Sequence, residues 1–569
     1  MEKILRVDMT RQTTVYEDVP ESLQLFGGRG TVAKILTDEV DPACDPLGPG
    51  NKLIVCPGLF ADTSAPCSGR ISIGGKSPLT GTIKEANAGG IAARKLAGLD
   101  IHAVIVEGQP DTNRWWILSI SEKGAALLSA DAYAGLNNYE LSEKLRKDFG
   151  NNIGIVSIGT AGERGYPNST VQITDPEGRP ARAAARGGLG AVMGSKKLKA
   201  IIVDYSGKPD WQYTDKARFL KAGKAYSKGI LDNPVSGQAM PALGTAVLVN
   251  MTNASGILPT RNFKTGKFEH AEALSGEHIA ELQAQRGGKM KHACHPGCVI
   301  QCSNVYHDAS GNYVTSGFEY ETIGLMGSNC GISSIDTVAR LDRMCDDFGL
   351  DTMETGCTIA VCMEAGKIEF GDSDGAIGLV QEIIDGTEFG NLLGKGTEAT
   401  GKHLGVARIP TVKGQSLAAY DPRGLKGTGV TYAVSPMGAD HTAGNALGNP
   451  TVDPTKKDGQ VELSTQLQVG MTLFDNLGMC IFSGFCTADP ENLQHLVDMF
   501  AAKFGGDWNV DKLMGIAVQT LVMEKQFNKG AGFTEKDNRL PDFMYTETLD
   551  TVDAVFDITD EEVANAIPF

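Results

Sequence analysis

The stretches DDFGLD (346–351) and DNLGMC (475–480) share one pattern: an aspartate, two residues, a glycine, an aliphatic or methionine, then an aspartate or a cysteine. Each closes a segment with helical periodicity. Each sets an aspartate one turn before a glycine that can end the helix in the left-handed region. Alone, either motif reads as a helix C-cap. Two similar short motifs far apart in the chain suit a ligand with two similar halves. The second copy also ends in a cysteine, Cys480, which bears on the next motif.

That motif is KHACHPGCVIQC (291–302), with Cys294, Cys298 and Cys302 three residues apart. Pro296 and Gly297 break any helix there, so the segment reads as a ligand loop. Soft thiolates suit zinc or an iron–sulfur cluster, and His292 or His295 could complete a zinc site. Cys480 is the candidate fourth ligand for a cluster. Spacing leaves both readings open.

Composition narrows the class. A net charge of −17 argues against nucleic acid as a partner, because phosphate binding needs clustered positive charge. The 70 glycines in 569 residues point to many tight turns and close approaches of backbone to ligand. No apolar run has the length of a membrane span, and MEKILRVDMTRQ has no apolar signal core. Twelve cysteines without export argue against disulfides, and a cytoplasmic protein is expected.

The fold class is α+β. Residues 1–206 read as a β-rich domain, with strand-length runs KLIVC (52–56), HAVIVEG (102–108), WWILSI (115–120), NIGIVSIG (152–159) and AIIVDY (200–205). Residues 207–405 read as helical, including TDKARFLKAGKAY after a Thr cap and SIDTVARLDRMCDDFG ended by Gly349. Residues 406–569 form a third, mainly helical domain with VELSTQLQVGMTLF and DPENLQHLVDMFAAKFG, the latter capped by Asp489. The acidic tail suits a small helix or a frayed end. No internal repeat is visible. Cys345, Cys357 and Cys362 fall on helices as core thiols, and Cys486 reads as packing.

FGGRG (26–30), DPLGPGN (45–51), KSPLTGT (76–82), EANAGG (85–90), ARGGLGAVMGSKKLKAI (185–201), EYET (319–322), DDFGLD, ADHT (439–442) and DNLGMC occur in a characteristic order. In this the chain resembles the tungsten-containing aldehyde:ferredoxin oxidoreductases. The resemblance implies two pterins lying on the β-rich domain, at its interface with the helical domains, and holding one tungsten or molybdenum atom through their dithiolene sulfurs. It implies that Asp346 and Asp475 accept hydrogen bonds from the pterins, with Asp351 assisting or capping the next helix. The carbonyls of Asn87 and Ala183 would bind a Mg²⁺ ion joining the pterin phosphates, with Arg182 as a phosphate partner. Arg70 would lie between pterin and cluster. Cys294, Cys298, Cys302 and Cys480 would hold a [4Fe–4S] cluster. The first gap, C-x3-C, is one residue longer than the family's C-x2-C. The stretch RLDR (340–343) stands where some members carry an interfacial metal site, so that site is not expected, although a homodimer remains open.

The same resemblance makes Glu321 the base and His441 the group that polarises the substrate oxygen. It implies oxidation of aldehydes to carboxylic acids, or the reverse, with electrons leaving to ferredoxin or a small iron–sulfur subunit. Alternatives are a subunit of a larger complex reducing an acid or aryl thioester, and a non-catalytic zinc-binding scaffold. Arg286, Lys289 and Lys291, just before the cysteine loop, are candidates for steering an acidic carrier.

Overall fold

The computed structural model describes residues 2–207 and 212–569. The expected boundary between 206 and 207 stands at the edge of the undescribed residues 208–211.

The first six strands are β1 (Lys3–Asp8), β2 (Thr13–Asp18), β3 (Leu53–Pro57), β4 (Ile71–Lys76), β5 (Ile83–Ala88) and β6 (Ile101–Glu107). They form a sheet of order β2-β1-β6-β3-β4-β5. The next six are β7 (Trp116–Ser121), β8 (Gly124–Ser129), β9 (Ile153–Ser157), β10 (Val171–Ile173), β11 (Arg182–Ala184) and β12 (Leu198–Asp204). Their order is β8-β7-β12-β9-β10-β11. In each sheet the only parallel pair joins the first and sixth strands. Helices also recur at matching places. Gly28–Glu39 and Asn138–Phe149 precede the third strand, and Ala92–Gly98 and Leu189–Ser195 precede the sixth.

The N-terminal region is therefore one unit used twice, where the sequence shows no repeat. A repeated topology needs only the same placing of apolar runs and turns, not the same residues. The two sheets share a core that includes Ile71, Ile73, Val104, Val171, Ile173 and Val203. Strands β6 and β12 are buried except at their last residues, because apolar groups cover both faces. Edge strand β2 has no buried residue, with Val15 and Tyr16 both exposed, as befits a strand at the rim of a sheet.

The helical part does not divide along the chain at residue 405. Helix Lys216–Asp232 packs on helix Pro490–Phe504 from the C-terminal region. Its Phe219, Ala222, Tyr226 and Ile230 share a core with Leu496, Met499 and Phe500. Helix Lys426–Val434 and residues 543–567 join instead the core around helices Tyr320–Met326 and Thr352–Glu364. Helix Lys216–Asp232 is capped by Asp215, which accepts from the Arg218 N–H, rather than by Thr214. The acidic tail forms the short helix Asp560–Ala564, closed by a reciprocal Thr559–Glu562 cap.

Candidate active site

Both aspartate motifs end helices, Ile335–Phe348 and Gln460–Leu477, with Gly349 and Gly478 in the left-handed conformation. Each then docks on the equivalent place of its own sheet. The N–H of Arg70, just before β4, donates to the Gly478 carbonyl at 3.2 Å. The N–H of Thr170, just before β10, donates to the Gly349 carbonyl at 2.9 Å. The motif ends are held likewise, with the Cys480 N–H on the Cys67 carbonyl at 2.9 Å and the Asp351 N–H on the Asn168 carbonyl at 3.0 Å. Glycine permits the approach. A Cβ on Gly58, after β3, would meet the Gly478 nitrogen at 2.0 Å, and one on Gly159, after β9, would meet the Phe348 carbonyl at 2.2 Å.

The two aspartates face related but unlike surroundings. Asp475 accepts from Arg29 at 3.3 Å, and Arg29 also binds Glu524 at 2.8 and 2.9 Å. Burial raises Asp475 to about 6 against the pull of Arg29. Burial and the nearby Asp475 raise Glu85 to about 8. Asp346 accepts from Gln172 at 3.4 Å and is held well above the usual carboxylate range by burial and by Asp342. Asp351 does cap the next helix, accepting from the Met353 N–H at 2.9 Å, and its second oxygen accepts from Arg186 at 3.2 Å.

Arg70 donates to the Asn87 side chain and, at 3.2 Å, to the Asn87 carbonyl. Asn87 lies on β5 opposite Ser72, and Ala183 lies on β11 opposite Gln172, so the two hold the same register position in the two sheets. Arg182 faces the cysteine loop: its guanidinium is 3.4 Å from His292 Nδ1 and feels the charges of Cys294, Asp175, Glu319 and Cys302.

All twelve cysteines are unpaired. Cys294, Cys298 and Cys302 come from the loop and Cys480 from the end of the second motif. Burial raises the Cys302 thiol well above its ordinary value, and Cys480, Cys294 and Cys298 add to the rise. The four thiols are thus close enough to feel one another's charge, with Cys298, Cys302 and Cys480 buried and Cys294 half-buried. The loop is fixed by the Gly90 N–H on the Cys294 carbonyl and the Cys67 N–H on the Gly297 carbonyl, both at 3.0 Å. Gly297, at φ 84°, makes the turn. Cys486 lies apart, donating to Ser483. His292 is turned to Glu177, 3.0 Å away, whereas His295 lies with Cys294 and Cys298, their ligand atoms within 4.8 Å of one another.

Glu321, in the first turn of helix Tyr320–Met326, and His441 approach to 3.3 Å between carboxylate and Nε2. The Ala419 N–H donates to the other Glu321 oxygen at 2.7 Å. Burial raises the Glu321 pKa, while His441 and that N–H oppose the rise. Tyr420 packs against His441, ring centroids 5.8 Å apart. Against the effect of burial, Lys84 and Arg186 hold Asp440 below the carboxylate range.

Ser169 Oγ, Gln172 Oε1, Arg182 Nε, Asn476 Oδ1 and His441 Nδ1 are buried polar atoms without a hydrogen-bond partner in the chain, as are others elsewhere in the fold. Folded chains leave few such atoms, so those between the sheets and the helices are free to bond a polar group held there.

The family model for the N-terminal domain of aldehyde ferredoxin oxidoreductase matches residues 4–205, and that for its domains 2 and 3 matches residues 221–564. The chain belongs to the aldehyde ferredoxin oxidoreductase family. The tungsten-containing aldehyde ferredoxin oxidoreductase of Thermococcus kodakarensis is 34% identical, covering 96% of this chain and 92% of that protein. The protein of the same name from Pyrococcus furiosus is 33% identical over the same shares. The active-site complex BamBC of benzoyl coenzyme A reductase, solved with 1,5-dienoyl-CoA, superposes with a TM-score of 0.80. It covers 99% of this chain and 93% of that one at 18% identity, which shows a common fold.

Several residues of this family member escape sequence reading. Arg29 sits inside FGGRG, and Arg186 inside ARGGLG, where Arg186 also donates to the Ala439 and Ser416 carbonyls at 2.8 Å. An arginine amid glycines was the available signal. Glu85, Asp342 and Lys84 carry no such signal, since a charged residue in a strand or helix ordinarily reads as exposed. Among the described residues no helix is long and apolar enough to cross a membrane.

Proposed function

We propose that this chain is a bis-pterin tungsten or molybdenum oxidoreductase. It interconverts aldehydes and carboxylic acids and passes electrons through a [4Fe–4S] cluster to ferredoxin or a similar carrier. The observation that carries the reading is the docking of Asp346 and Asp475 at equivalent places on two equivalent sheets, which suits a ligand made of two similar halves.

Asp346 and Asp475 accept from the two pterins, and Asp351 stays with its helix and Arg186. The carbonyls of Asn87 and Ala183 would hold a Mg²⁺ ion; Arg70 donates to the Asn87 carbonyl, which keeps a second lone pair for a hard cation. Arg70 and Arg182 border the cysteine site and offset the charge of four thiolates. Cys294, Cys298, Cys302 and Cys480 hold the cluster.

Oxidation of an aldehyde with water releases two electrons and two protons as the acid forms. The bound metal supplies the two-electron chemistry. Glu321 takes a proton through Oε1, and burial, by raising its pKa, makes it a stronger base than an exposed carboxylate. The Ala419 N–H fixes the carboxylate in place. His441 orients and polarises the substrate oxygen, with Tyr420 packed behind its ring.

A zinc scaffold is the other reading that a specific grouping favours, because Cys294, His295 and Cys298 lie within ligand reach of one centre. Elemental analysis of anaerobically purified protein, followed by an aldehyde panel with a viologen dye, separates the two. Iron with tungsten or molybdenum and dye reduction support the oxidoreductase. Zinc alone, with no dye reduction, overturns it.

A further inference from the structure

Cys480 opens the 3-10 helix Ile481–Ala488, in which Phe482 and Phe485 stack with centroids 5.8 Å apart. Phe485 is 40% exposed. Beside it, helix Lys216–Asp232 ends on Leu231, 49% exposed, and the following turn begins with Val235, 41% exposed. The Asn233 amide donates to the Phe485 carbonyl at 3.4 Å, and the Tyr226 hydroxyl to the Ser483 carbonyl at 2.7 Å. These bonds hold the segments that carry the exposed apolar residues against one another. The chain then runs from Val235 to Gly244, where an added Cβ would lie 3.1 Å from the Cys302 carbonyl. The surface is thus tied to the cysteine site at both ends. From Cys480 to Phe485 the 3-10 helix extends about 10 Å.

Lysines are grouped in this part of an otherwise acidic chain. Lys221, Lys224 and Lys228 are exposed at helical spacing on the line leading to Leu231. Lys289 and Lys291 are exposed on β13 (Lys289–His292), which packs against the segment Met240–Leu243. Opposing them are Asp232, paired with Lys228, Asp489 and Glu491 at the start of the neighbouring helix, Glu177 beside His292, and Glu281 on helix Gly276–Arg286, which packs on β13. Arg286 does not join the group, since it is bound to Asp336 at 2.6 and 3.1 Å.

We propose that Leu231, Val235 and Phe485, with their lysine border, form the docking surface for a small acidic iron–sulfur protein that exchanges electrons with the cysteine-held cluster. The inference rests on the oxidoreductase reading. An apolar centre with a charged rim is the anatomy of a transient interface, and lysines in an otherwise acidic chain select an acidic partner. One electron leaves the reduced cluster and reduces the carrier's oxidised cluster; no bond or proton moves.

The test uses purified holoenzyme and an acidic [4Fe–4S] ferredoxin, measuring binding by calorimetry and turnover with ferredoxin or benzyl viologen. For Val235→Asp with Phe485→Asp, ferredoxin Kd and KM should rise about tenfold or more, with iron content and viologen kinetics unchanged. Lys224→Glu with Lys228→Glu should slow association at low salt and converge on the parent at high salt. Leu231→Asp, on a helix surface, repeats the first test away from the cysteine segment. Unchanged ferredoxin binding and kinetics in all three would overturn the proposal. So would equal losses with both acceptors at full iron content, or a change of oligomeric state that marks the surface as an interface between copies. A parent enzyme that reduces no dye would overturn the functional reading instead, while the binding measurements still report on the docking surface.

Discussion

Asn87 and Ala183 stand at one position of a repeated unit, each in the fifth strand of its sheet and each opposite the second residue of the fourth. Strand β5 packs against β11, so the repeat sets the two strands that carry these positions side by side at the seam between the sheets. A ligand with two similar halves meets similar backbone from each sheet, while Asp475 with Glu85 and Asp346 with Asp342 make the two sides chemically different.

The glycine contacts under the motifs should be costly to fill. Gly58→Ala and Gly159→Ala each place a Cβ against backbone that cannot swing aside. Each should lower stability by about 1–3 kcal/mol and reduce bound pterin. Thermal unfolding and pterin content check this. Substitution without loss of either would show that the close approach is not needed to seat the motif.

Removing Cys480 should abolish the [4Fe–4S] signal, although Cys480 is remote in sequence from the loop cysteines. Cys486→Ala should retain it, because Cys486 lies apart and bonds Ser483. Iron per chain and the low-temperature paramagnetic resonance of the reduced protein report the outcome. Iron lost with Cys486 and kept without Cys480 would reverse the assignment.

Glu321→Gln keeps the shape and a hydrogen-bonding group but cannot take the proton. Activity per bound tungsten or molybdenum should fall about 10²–10⁴-fold with metal content unchanged. His441→Ala should also slow turnover, most for weakly electrophilic aldehydes. Near-normal oxidation by fully metallated Glu321→Gln would remove Glu321 from the mechanism.

Glu85 predicts a pH dependence. Burial and Asp475 raise it to about 8 in the folded chain, so the folded state binds more protons than the unfolded state between the ordinary value near 4.5 and 8. Stability of the cofactor-free protein should therefore fall as pH rises through that window. The raised Asp475 acts in the same direction. Glu85→Gln should raise the melting temperature at pH 8 and flatten its decline. An unchanged decline would place the effect elsewhere.

Local features were legible in the sequence because local physics sets them. β-branched runs gave the central strands, Asp351 and Asp489 cap the helices that follow them, and Gly349 and Gly478 end theirs. The ordered motifs also identified Glu321, His441 and the four cysteines as candidates. Arg182 illustrates the limit: its place beside the other motifs suggested a phosphate, while its guanidinium lies against the cysteine loop.

What the sequence by itself determined was therefore the set of turns, caps, strand-length runs and family motifs, each of which depends on neighbours a few residues away. Tertiary structure alone decided that two unlike stretches form two sheets of the same topology, that Arg29 meets Asp475 and Glu524, and that helix Lys216–Asp232 packs on Pro490–Phe504. The physical reason is that topology and long-range pairing depend on which buried surfaces fit and which buried charges find a partner. A one-dimensional pattern records the apolar and charged residues but not the groups they meet.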